Sequence, residues 1–110
     1  MAIPHARPGQ PVSIHSDPLL LPQTTTLIKT ESIEVIRVVM SKGKELARHK
    51  VLGEITLQCL AGSVTLSLGD DECELSPGLL TYLSGGQEHS LSANADSALL
   101  LTITLDQTSA

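Results

Sequence analysis

The chain has 110 residues, a formal charge of −5 and 41% apolar residues, and it contains no Phe or Trp and one Tyr. That length fits one domain with one core, and the acidic balance repels phosphate backbones and anionic headgroups, excluding nucleic acid and membrane surfaces as partners. Without aromatic platforms, stacking on a sugar, a nucleobase or a flavin is excluded as a mode of recognition.

Residues 1–22 hold five of the six prolines (Pro4, Pro8, Pro11, Pro18 and Pro22), and proline cannot donate to a sheet ladder. This stretch is read as an arm, disordered to about residue 10 and then an extended edge segment over Pro11–Leu21, where Val12 and Ile14 alternate with Ser13 and His15. Such an arm is expected to lie across a neighbouring subunit, with His5 and His15 in solvent. It lacks the basic and apolar regions of a secretion leader. The runs Leu19–Leu21 and Ala98–Leu101 are far shorter than the roughly 20 residues of a bilayer span. Two cysteines, Cys59 and Cys73, are too few for a disulfide scaffold, so both are expected to be reduced, buried small hydrophobes in a cytoplasmic protein.

Residues 23–110 are read as a single barrel domain. Thr24–Ile28 and Ser32–Met40 are rich in β-branched residues and predict two strands. Glu54–Leu60 alternates polar and apolar side chains, with Ile55, Leu57 and Cys59 on one face. Val64–Leu68 and Glu72–Leu75 form a hairpin about the Gly69-Asp70-Asp71 turn, which leaves Glu72 and Glu74 in solvent. Leu79–Leu83, His89–Ala93 and a last strand carrying Leu99, Leu101, Ile103 and Leu105 complete an all-β pattern. No stretch keeps a helical period, and turns at short intervals indicate a sandwich or barrel. Leu60 and Leu100, on the second faces of their strands, call for cover on both sides and predict a homodimer.

Two histidines stand in glycine-framed strand segments. His49 lies between Gly43 and Gly62, and His89 follows Gly78 and Gly86. This spacing resembles the two motifs of the cupin superfamily. Gly43, His49 and Gly62 match positions of the first motif, and Gly78, Gly86 and His89 match positions of the second; the resemblance runs from about Ile33 to Leu105. It implies a double-stranded β-helix, or jelly-roll, barrel with a ligand pocket lined by His49, Val51, Ile55, Leu57, Cys59 and His89. In a full cupin three His and one Glu hold a divalent metal, commonly iron, manganese, nickel or zinc. Here Val51 stands at the second His position and Ile55 at the Glu position, while Ser84 and Ala93 replace the Pro and Asn of the second motif. His49 and His89 are thus the expected residual metal ligands, or else hydrogen-bonding pocket histidines with no metal. Glu54 is one residue from the Glu position and points to the opposite face unless a bulge shifts the register. Cys59 is either core or a soft third ligand. The resemblance therefore implies a stand-alone module that binds a small molecule, the alternative being a metal-dependent dioxygenase, isomerase or decarboxylase.

Overall fold

A computed structural model of the protein describes residues 5–16, 23–49 and 52–105, the side chains of residues 47–49 excepted. Its strands are β1 (Thr25–Lys29), β2 (Ile33–Met40), β3 (Glu45–His49), β4 (Ile55–Ala61), β5 (Val64–Leu68), β6 (Asp71–Leu75), β7 (Leu80–Leu83), β8 (His89–Ala93) and β9 (Ser97–Thr104). They form a five-stranded sheet in the order β1-β2-β9-β4-β7 and a four-stranded sheet in the order β3-β8-β5-β6. Every pairing is antiparallel. From β2 onward the chain crosses between the sheets after every strand except at the β5–β6 hairpin, which makes the jelly roll that the resemblance implied. The described residues contain no helix, and hence none long and apolar enough to cross a membrane.

Alternation builds the core. In β4 the odd-numbered Ile55, Leu57 and Cys59 are buried while Thr56 is exposed; in β8 His89, Leu91 and Ala93 are the buried set. From the larger sheet Met40, Ile55, Leu57, Cys59, Leu83 and Leu99 meet Val64, Leu66, Leu75, Leu91 and Ala93 from the smaller one. Burying each large aliphatic side chain contributes about 1.5–3 kcal/mol, and branched aliphatics fill the interior without any aromatic ring. Cys59 sits in this core, but Cys73 is exposed. Cys73 differs from expectation because β6 is the open edge of its sheet, and a small side chain there has no outer neighbour strand to cover it.

The arm follows a definite path where it is described. The Ala6 N–H donates to the Leu27 carbonyl at 3.0 Å, and the Gln10 N–H closes a turn onto the Arg7 carbonyl at 2.9 Å. Further along, Arg37 Nη1 on β2 donates to the Ser13 and His15 carbonyls at 3.4 and 3.3 Å. Residues 5–16 therefore lie along their own barrel, beside β1 and β2, with no strand assigned in them. His5 and His15 are exposed. The rest of the predicted edge segment, residues 17–21, lies outside the described residues.

Candidate functional site

The two histidine positions meet through backbone pairing. β3 and β8 pair with Glu45 opposite Ser92, Leu46 opposite Leu91 and His49 opposite His89, with a bulge between Leu46 and His49. Three steps along β3 against two along β8 mean one extra residue in β3. Without that residue, Arg48 would face His89. The bulge is thus what brings His49 opposite His89, and nothing in the Glu45–His49 sequence announces it.

His89 opens β8 on its inner face and is 3% exposed. Its Nδ1 lies 3.2 Å from the Gln87 carbonyl. A carbonyl only accepts, so Nδ1 carries the proton and, in the neutral ring, the lone pair is on Nε2. Beside it, a polar cleft of about 270 Å³ is lined by Ser67, Gly69, Asp70, Glu88, His89 and Ser90 at the β5–β6 turn. The side chain of His49 and the whole of Val51 lie outside the described residues.

Ile55, Leu57 and Cys59 all point between the sheets and belong to the packed core. Ile55, at the position where the resemblance puts a metal-binding Glu, is 3% exposed and pairs in regular register with Leu83 and Ile103. No bulge interrupts that register before Cys59, and Glu54 is exposed. The Cys59 thiol is fully buried and donates to the Ala61 carbonyl at 3.4 Å. Desolvation by burial pushes its pKa above the ordinary thiol range, which disfavours a reactive thiolate in the metal-free core. Among the described residues, no three His, Cys, Asp or Glu side chains gather closely enough to hold a metal ion. Catalytic zinc generally takes three protein ligands, and non-haem iron two His and a carboxylate. The described residues supply fewer donors than such a group takes.

A larger cleft of about 450 Å³ lies on the other side of the five-stranded sheet, between the arm and the outer face of β2, β9 and β4. Ile14 and His15 of the arm form one wall, and Arg37, Val39, Leu60 and Ala98 of the sheet form the floor. The arm therefore supplies part of the outer cover that Leu60 was expected to need. Sequence reasoning missed this site. Its one sequence signal was Arg37, the only cation inside the apolar run Ile33–Met40.

No protein-family model and no curated protein sequence matches the chain. Solved structures do. A cupin superfamily protein from Desulfitobacterium hafniense superposes with a TM-score of 0.74 at 12% identity, covering 80% of this chain and 84% of that one. A conserved protein of unknown function from Streptococcus pyogenes gives 0.75 at 18% identity, over 98% of this chain and 97% of that one. An RmlC-like cupin from Desulfovibrio desulfuricans gives 0.72 at 18% identity, over 86% and 97%.

Proposed function

We propose, from the premise that this chain has the cupin jelly-roll fold, that it is a small-molecule-binding module rather than a metal-dependent enzyme. The observation that carries this reading is Ile55, an aliphatic side chain packed into the core at the position of the missing carboxylate ligand. With the Glu position apolar, a metal would have the two histidines alone, completed by water or by a chelating ligand. Such a site binds iron, manganese, nickel or zinc weakly and exchanges it readily. The ligand contacts are assigned to the histidine end of the barrel, where the cleft beside His89 offers hydroxyls, carboxylates and an imidazole held in one tautomer by Gln87. Two unpaired cysteines favour residence in the reducing cytoplasm.

Metal analysis of the purified protein beside His49→Ala and His89→Ala tests the reading. Content well below one equivalent per chain, unchanged in both variants, is the expected result. Stoichiometric metal that disappears with either histidine overturns it in favour of the metal-dependent enzyme.

The binding module is further proposed to be a homodimer. Leu80 and Tyr82 on the edge strand β7 are each 65% exposed, and Leu79 before them is also exposed. Together they are an apolar surface at an open sheet edge, which a second copy would cover. Light scattering is expected to give twice the chain mass at micromolar concentration, falling to the chain mass in Tyr82→Asp. A monomer at every concentration would remove the dimer from the account.

A further inference from the structure

The geometry points to a second ligand site, distinct from the histidine end of the barrel. It is the 450 Å³ cleft under the arm, acting as a receptor for a small monocarboxylate with a short aliphatic chain. Arg37 carries the recognition. Its Nη1 is spent on the Ser13 and His15 carbonyls, which fixes the plane of the guanidinium. Its Nε is buried and has no hydrogen-bond partner. Buried polar groups in folded proteins are almost always satisfied, and an exception asks for an absent partner. The Nε–H and the neighbouring Nη2–H form the lateral edge of the guanidinium, which matches the two oxygens of a carboxylate in a paired, charge-assisted contact.

The rest of the lining narrows the class. Ile14, Val39, Leu60 and Ala98 give an aliphatic floor and wall, and the volume falls in the usual range for small-molecule sites of about 300–1,000 Å³. Among the described residues no Phe, Tyr or Trp lines it, so a planar or sugar ligand gains stacking from the His15 imidazole at most. Among the described residues Arg37 is the only Lys or Arg in the lining, and Asp96 also lines the cleft, its Oδ1 accepting the Lys42 N–H at 2.8 Å. A phosphate dianion would face one guanidinium and one carboxylate, a poor balance. A single negative charge on an aliphatic body suits the same surface.

Hexanoate is the probe, titrated into the full chain labelled with ¹⁵N and followed by amide and Arg37 Nε–H shifts. A ligand of this size is expected to bind with a dissociation constant of about 1 mM, moving the Arg37 Nε–H and the amides of Val39, Leu60 and Ala98. Hexan-1-ol, with the same chain and no charge, should bind about tenfold or more weakly, because the charge-assisted contact is lost. Arg37→Gln should abolish the difference between the two probes. Since Arg37 also holds the arm, Ala98→Leu is the second variant. It fills the cleft, leaves the guanidinium in place and should weaken hexanoate at least about tenfold.

The proposal is overturned if hexanol binds as well as hexanoate, or if Ala98→Leu leaves hexanoate binding unchanged. It is also overturned if the shifts fall only on Ser67, His89 and Ser90, a result that would instead concern the histidine end. Asp17 follows Ser16 of the cleft wall directly in the sequence. If the wild type ignores hexanoate and Asp17→Asn binds it, the occupant is the chain's own carboxylate and the proposal fails.

Discussion

Ile55→Glu is expected to lower the folding stability by about 3–5 kcal/mol at neutral pH, the cost of a buried charge left without a partner. Ile55 lies in β4 between β7 and β9, with Leu83 and Ile103 as its cross-strand neighbours and the core behind it. A carboxylate there is desolvated, which raises its pKa in the folded state above the unfolded value of about 4.3. Between those two values the folded protein holds a proton that the unfolded chain releases, so stability rises as pH falls. The variant should therefore recover most of its loss by about pH 4, relative to wild type at the same pH. Urea denaturation at pH 7 and at lower pH measures both effects. A loss under about 1 kcal/mol would mean that water reaches this position, and an interior pocket would then replace the dry core. Adding Val51→His to Ile55→Glu completes the donor set of the resembling family. Zinc should stabilise that double variant and leave the wild type unmoved.

Gly62→Ala is the second large effect, expected at about 3 kcal/mol from backbone strain together with a clash. Gly62 has φ of 83° at the corner between β4 and β5, a conformation that a side chain disfavours. An added Cβ would also run into Ser97 Oγ and the Asp96 carbonyl. Neither can retreat freely. Ser97 Oγ accepts the Ser63 N–H at 3.1 Å and lies 2.7 Å from the Ala95 carbonyl, and Asn94 ties the same corner to Ser63 and Thr65. Asp96 and Ser97 also line the cleft under the arm, so the variant should disturb that wall beyond its effect on stability. Thermal unfolding gives the first effect, and the amide shifts of Lys42 and Ala98 report the second.

Most of the barrel was legible because its strands carry their own signal. β5 and β8 begin and end where alternation placed them, and β2, β4 and β9 differ by one or two residues at their ends. β3 is the exception. Glu45-Leu-Ala-Arg-His contains no β-branched residue and consists largely of good helix formers, so only the glycine framing marked it as a strand. Its extension comes from pairing with β8, a tertiary effect that local propensity does not encode. The pairing of the two histidines was legible as spacing but not as register, because it depends on the bulge. The arm cleft left no trace in the sequence beyond Arg37 in its apolar run. It exists because Ser13 and His15 return to β2 through Arg37, more than twenty positions along the chain, and the short alternation of Val12 and Ile14 gives no indication of where the arm docks.

The sheet edges at β6 and β7 would behave differently in a concentrated solution. β6 reads Asp-Glu-Cys-Glu-Leu, with Asp71, Glu72 and Glu74 all exposed along the open edge of the smaller sheet. Two such edges approaching each other bring like charges together, which opposes the strand-to-strand addition that starts fibrils. β7 has no such guard. Its Leu80 and Tyr82 are exposed, so the homodimer proposed above would form at this edge, where a twofold pair would close on itself and stop. The acidic edge thereby separates a bounded assembly from an unbounded one.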